Sequence, residues 1–117
     1  MADTALEVAH TIVETLDEKK GDDILLLDLI GVCSFTDYFV ICTAGSERTL
    51  KALAEESRMR VKEKHSKTAY SLEGDAGSGW ILIDYGDVIL HVFSESLREY
   101  YRLEDLWQDG RVLLRIQ

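Results

Sequence analysis

Residues 80–93 constrain this chain more than any other stretch. Trp80-Ile81-Leu82-Ile83-Asp84 and Asp87-Val88-Ile89-Leu90-His91-Val92-Phe93 are apolar runs rich in β-branched residues, with only Tyr85-Gly86 between them. Two such runs joined by two residues, one of them glycine, predict a β-hairpin. Counting outward from a Tyr85-Gly86 turn pairs Asp84 with Asp87, Ile83 with Val88, Leu82 with Ile89, Ile81 with Leu90 and Trp80 with His91. Side chains alternate across a strand, and residues directly opposite share a face. One face therefore holds Ile81, Ile83, Val88, Leu90 and Val92, all aliphatic and suited to a core. The other holds Trp80, Leu82, Asp84, Asp87, Ile89 and His91. In this register two aspartates face each other and must be screened or stay wet. The mixed face reads either as a protein-binding patch with an aromatic anchor and a charged rim, or as a face covered by a helix with His91 hydrogen-bonded inside.

The flanking elements follow from periodicity. Thr4 and Glu7 have capping-box spacing, and Leu6, Ala9, Ile12, Val13 and Leu16 recur on one helical face. This predicts an amphipathic helix over 4–20, with Gly21 at its C-cap. Ile24–Ile30 and Tyr38–Thr43 read as buried strands. Ser46 caps a second helix that buries Leu50, Leu53, Ala54, Ser57 and Val61 and presents Arg48, Lys51, Glu55, Arg58 and Lys62 on the opposite side. That basic stripe is either a solvated face with i,i+4 pairs or a contact for phosphate. Thr68–Glu73 is a short strand, and 74–79 is a connection within one domain. Ser94 caps a last helix using Leu97, Tyr100, Tyr101, Leu103, Leu106 and Trp107, stopped by Gly110. Residues 111–117 either add an edge strand or fray. The order α-β-β-α-β-β-β-α implies one mixed β-sheet packed with helices, an α/β or α+β layer fold. At 117 residues, one compact domain is the default.

The net charge of −9 disfavours non-specific nucleic-acid binding by the chain as a whole. The charge is uneven. Glu47 to Lys67 carries seven Lys/Arg against four Asp/Glu, so the remainder carries −12, a field suited to a basic partner or simply to solubility. No apolar run approaches the ~20 residues of a membrane span. The acidic N-terminus predicts neither a secretory signal nor an Arg-rich transit peptide, so a cytoplasmic location is expected. Cys33 and Cys42 form no CxxC pair and read as inert thiols in a reducing compartment.

The strongest catalytic reading is a nucleotidyltransferase-like site. Thr43-Ala44-Gly45-Ser46 runs from a strand into a helix and can present backbone N–H groups to phosphate. A D-x-D pair for Mg²⁺ is missing, however, and Asp84 and Asp87 are the only close acids at a strand end. His10, His65 and His91 show no ligand spacing, and no Walker A, G-x-G-x-x-G or G-x-S-x-G motif occurs. No catalytic residue, metal or cofactor is expected.

Trp80–Phe93, with its W-h-h-h-D-h-G-D-h-h-h-H-h-h pattern, closely resembles the signature of the ribosomal silencing factor family, RsfS, also called Iojap-like. Thr36-Asp37-Tyr38-Phe39-Val40-Ile41-Cys42-Thr43 with Gly45-Ser46, then Leu72-Glu73-Gly74, then Arg98, Tyr101, Leu103-Glu104 and Leu106-Trp107 match further blocks in order. The similarity runs from about Ala5 to Trp107, with Ala44 standing where the family usually carries glycine or another small residue. The resemblance implies a nucleotidyltransferase-like topology without the catalytic acids, in one domain over 1–109 followed by a short tail, 110–117. It implies binding to the large ribosomal subunit through ribosomal protein L-fourteen, a steric block to subunit joining, and repression of translation when nutrients are scarce. It also implies a homodimer when free, no membrane and no sequence-specific nucleic acid. The alternatives are a large-subunit assembly factor or a Mg-dependent nucleotide-handling enzyme using Asp84 and Asp87. By this match the partner-binding residues are Trp80, Leu82, Asp84, Tyr85, Gly86, Asp87, Ile89 and His91. Trp80 is the anchor, Asp84 and Asp87 pair with Lys or Arg, Tyr85 donates its hydroxyl from the turn tip, and Gly86 supplies a positive φ. Arg98, Tyr101 and Trp107 brace the last helix.

Overall fold

A computed structural model describes residues 4–117. The elements are α1 (Ala5–Glu18), β1 (Asp22–Asp28), β2 (Tyr38–Ala44), α2 (Glu47–His65), β3 (Ser71–Asp75), a 3-10 turn (Ala76–Ser78), β4 (Trp80–Asp84), β5 (Val88–Ser94), α3 (Glu95–Tyr101), α4 (Leu103–Leu106) and β6 (Arg111–Ile116). The strands form one six-stranded mixed sheet in the order β3-β4-β5-β2-β1-β6. Only β2 and β5 run parallel, and they sit at its centre. The α+β layer fold expected from the sequence is the fold observed.

α1, α2 and α3 begin where short polar side chains can accept the free N–H groups of a first turn. Thr4 Oγ1 accepts from Glu7 N at 3.1 Å, Ser46 Oγ from Thr49 N at 3.1 Å, and Ser94 Oγ from Leu97 N at 3.3 Å. The end of α1 differs from expectation. Lys20, not Gly21, takes the left-handed conformation (φ 68°), and Gly21 N–H donates to Leu16 O at 2.7 Å. That bond and the Lys20–Asp17 bond make a Schellman closure. Gly21 is needed for space instead, since a Cβ there would run into Cys42 Sγ.

α1 and α2 cover one face of the sheet, burying Ile12, Leu16, Leu50, Leu53 and Val61 against Ile24, Leu26, Val40, Ile83, Leu90 and Val92. On the other face Leu25, Leu27, Phe39, Ile41, Ile89 and Phe93 pack under a smaller cover that includes Leu97, Leu103 and Trp107. The last helix predicted over Ser94–Trp107 is broken. Arg102 turns left-handed (φ 45°) and splits it into α3 and α4. This break brings Leu103 and Trp107 down onto the second face.

Residues 111–116, set apart above as a tail, pair antiparallel with β1 and close the sheet on that side. Two ion pairs hold them there. Arg111 donates to Asp28 at 2.8 Å, and that bond is the main reason the Asp28 carboxyl sits below its usual range. Arg115 donates to both oxygens of Asp23.

Arg98 ties α3 to the sheet. It is 6% exposed, and its guanidinium donates to Thr43 Oγ1 and Asp23 O (both 2.9 Å), to Asp23 Oδ2 (3.3 Å) and to Glu104 Oε1 (3.0 Å). Removing one partner of a buried ion pair strands the others. Arg98→Leu should therefore cost about 2–3 kcal/mol, since Asp23 keeps Arg115 and is partly wet. The cost should be read as an earlier urea midpoint at unchanged m. A loss under about 0.5 kcal/mol, typical of a surface change, would refute the bracing role.

Candidate interface on the open sheet face

The observed hairpin register differs from the expected one by two residues. Trp80 pairs with Phe93, Ile81 with Val92, Leu82 with His91, Ile83 with Leu90 and Asp84 with Ile89. The ladder continues through Tyr85, whose N–H donates to Val88 O at 2.9 Å, so the turn is Gly86-Asp87 rather than Tyr85-Gly86. Gly86 has φ +90°, a left-handed conformation that glycine adopts without strain. Asp84 Oδ1 accepts the Gly86 N–H at 2.7 Å and helps set this turn. The Asp87 carbonyl accepts the N–H groups of Asp37 and Tyr38, locking the turn to the start of β2.

A shift of two leaves every strand side chain on its predicted face, because the period across a strand is two. The aliphatic set Ile81, Ile83, Val88, Leu90 and Val92 lies in the helix-covered core. The facing aspartates are gone, since Asp84 opposes Ile89 and Asp87 lies in the turn.

Of the residues expected to meet a partner, Trp80, Leu82 and Asp84 lie half-buried on the second face, and Gly86 and Asp87 lie half-buried in the turn. Ile89 and His91 are also on this face but are 5% and 4% exposed, so they form its floor. Tyr85 is the outlier. Its ring is 6% exposed and packs on the helix side with the main core, not at a turn tip, and burial pushes its hydroxyl pKa up.

Strand register aligns these residues with others that sequence reasoning missed. One row across the sheet reads Glu73, Leu82, His91, Ile41, Leu25, Arg115, and the next reads Ser71, Asp84, Ile89, Phe39, Leu27, Val112. Glu73 thus stands beside Leu82. A shallow cavity of about 430 Å³ opens there between Glu73, Trp80, Leu82, Leu97 and Tyr101. The signal for this placement was Asp75-x-x-Ser78. The Asp75 side chain accepts from Ser78 N at 2.8 Å and folds the chain tightly between β3 and β4.

Trp80 serves two ends. Its ring stacks on Phe93 (centroids 5.1 Å) and meets Tyr101 (5.0 Å), while its Nε1–H donates to His91 Nδ1 at 3.3 Å. His91 also meets Phe39 edge-on at 4.6 Å. Its Nδ1 accepts, so its Nε2 carries the proton, and that atom is buried without a hydrogen-bond partner. Among aromatic rings the imidazole is held neutral, its pKa pushed down to about 3 by burial.

The catalytic constellation is not assembled. β2 and β5 are parallel, with Asp84 and Asp87 beside their starting ends and Gly45-Ser46 past the far end of β2. Seven residues of strand separate them by about 20 Å. One phosphate cannot reach both. Among the described residues no cluster of three His, Cys, Asp or Glu is placed to hold a metal ion. Cys42 is buried with its pKa raised to about 12, chiefly by desolvation, which makes it a poor nucleophile. Among the described residues no helix is long and apolar enough to cross a membrane.

Comparison with known proteins finds relatives over most of the chain. The family model described as "Ribosomal silencing factor during starvation" matches residues 2–116. The ribosomal silencing factor RsfS of Halalkalibacterium halodurans is 37% identical over 89% of this chain and 88% of that one. That of Bacillus subtilis is 40% identical over 80% and 79%. The chloroplastic Iojap protein of Zea mays is 31% identical over 87% of this chain but 44% of its own length. A crystal structure of a Chromobacterium violaceum protein superimposes with a TM-score of 0.86 at 33% identity, covering 91% of this chain and 88% of that one.

His91 gives this face a pH signature. Unfolded, a histidine titrates near 6.5, whereas folded it stays neutral down to about 3. The unfolded chain therefore binds the proton first, and stability falls as pH drops below about 6.5, by up to about 1.4 kcal/mol per unit. Between pH 7 and 5 the wild type should lose roughly 2 kcal/mol in urea melts. His91→Phe should flatten this interval, and an equal slope in both proteins would refute the assignment.

Proposed function

This chain belongs to the ribosomal silencing factor family, and from that membership we propose that it binds the large ribosomal subunit through ribosomal protein L-fourteen, blocks subunit joining and so represses translation under nutrient limitation. It acts in the cytoplasm, and the free protein is a homodimer. One observation carries the choice of surface. The second sheet face lacks the full-length helices that cover the first, and it leaves Trp80 and Leu82 half-exposed among the carboxylates of Glu73, Asp84 and Asp87. An apolar centre with an acidic rim suits a basic protein surface.

Each contact has a distinct role. Leu82 and the exposed edge of Trp80 lose water against the partner, and the buried aromatic ladder beneath keeps them rigid. Asp87 has no side-chain bond among the described residues, so its carboxylate is available to a Lys or Arg across the interface. Asp84 divides its oxygens between the Gly86 N–H and the partner. Tyr85 faces the other side and supports the turn from below.

Co-sedimentation with separated ribosomal subunits tests this reading. The wild type should travel with the large subunit only. Asp87→Lys and Leu82→Asn should each weaken that association at least tenfold, equivalent to about 1.4 kcal/mol, while keeping a cooperative melting curve. Wild-type retention by both variants would rule out this face, and migration of the wild type with neither subunit would rule out the function.

A further inference from the structure

The basic stripe of α2 does not behave as a self-neutralising helix surface. Glu47–Lys51 and Lys51–Glu55 have the i,i+4 spacing that closes ion pairs on helices, as does Glu63–Lys67 just past the helix end. None of them closes. Among the described residues, Arg48, Lys51, Arg58, Lys62 and Lys67 make no ion pair within 4 Å, whereas Arg60, on another side of the helix, pairs with Glu18. Arg48 and Lys51 also sit in the first turns of α2, where the helix dipole opposes positive charge. Their placement gives the fold nothing visible.

The stripe is long and continuous with the turn of the hairpin. Arg48 to Lys62 spans about 21 Å of helix, with the buried residues Leu50, Leu53, Ala54, Ser57 and Val61 on the far side. At its C-terminal end a groove of about 560 Å³ opens between Arg58, Lys62, Lys67 and Thr68, and Tyr85 also lines it. Glu55 and Glu63 border the same groove, so the local excess of positive charge is modest. Tyr85 directly precedes the Gly86-Asp87 turn, so one partner surface can meet the acidic rim and this groove together.

We propose that Arg48, Lys51, Arg58 and Lys62, with Lys67, form a sequence-independent contact for RNA phosphates. It rests on the ribosome-binding reading for its setting and adds a second component to it: the acidic hairpin face meets basic protein while the stripe meets ribosomal RNA backbone. Charge complementarity selects the occupant. Outside residues 47–67 the chain carries −12 and repels phosphate, so this stripe is where RNA can approach. Phosphate contact by Lys and Arg gives position without base reading.

Fluorescence anisotropy against a labelled RNA hairpin of about 30 nucleotides, from 25 to 200 mM KCl, tests the proposal, with large-subunit co-sedimentation in parallel. The wild type should bind the hairpin with an affinity that falls steeply with salt. The R48Q/K51Q/R58Q/K62Q variant should bind at least tenfold more weakly with a flatter slope, while Leu82→Asn should bind the hairpin like the wild type. Both variants should lose affinity for the large subunit, by different routes. No hairpin binding by the wild type, equal binding by the quadruple variant, or binding to anionic phospholipid vesicles instead of RNA would overturn the proposal. Hairpin binding that depends on the stripe, without large-subunit binding, would uphold it and refute the ribosomal reading instead.

Discussion

The parallel pairing of β2 with β5 is the constraint on which the rest of the molecule depends. Every residue of β2 is buried, as is β5 from Val88 to Phe93. A strand pair buried on both faces needs apolar cover on both sides of the sheet. Among the described residues only two helices are long, and both, α1 and α2, pack on the same side of the sheet. The second side must be covered by what remains. That is the broken pair α3 and α4, together with a ladder of aromatic rings. Seven- and four-residue helices cannot span six strands, so part of this face stays open at the β3–β4 edge. The candidate interface is thus a consequence of unequal cover.

Two devices make the smaller cover rigid. Arg98 reaches through it to Thr43 and Asp23, so α3 is pinned to β1 and β2 by polar bonds where apolar area is scarce. Trp80 is held between Phe93 and Tyr101 and bonded to His91. A rigid aromatic loses little conformational freedom when a partner covers it, which favours binding. The cost is a neutral histidine whose second nitrogen is buried without a partner.

Much of this was legible in the chain because the signals were local. Thr4, Ser46 and Ser94 each cap the helix they were expected to cap, and the buried stripe of α2 is the one its spacing marked. The hairpin's faces survived a wrong turn assignment only because the slip was two residues. What failed was tertiary. Tyr85 reads as a turn residue until the ladder is seen to extend through it. Arg102 looks like mid-helix, yet it turns left-handed where Leu103 and Trp107 must reach the sheet. Residues 111–116 are four aliphatic residues with Arg111 and Arg115 among them and no local cue to a partner, and their place depends on Asp23 and Asp28 about ninety residues earlier. The buried role of Arg98 likewise rests on groups far away in sequence.

The same asymmetry organises the charge. Glu73, Asp84 and Asp87 gather where the sheet is open, and the unpaired cations gather along the helix on the covered side, meeting the acids only near the Tyr85–Asp87 turn. A net charge of −9 alone describes a protein that avoids nucleic acid. Segregation changes that conclusion, because fields fall off within about 8–10 Å at physiological salt. A surface made of RNA and basic protein side by side then sees two complementary patches, not one averaged charge. Orientation would follow from the pattern, since turning the molecule over would set acid against phosphate and cation against cation.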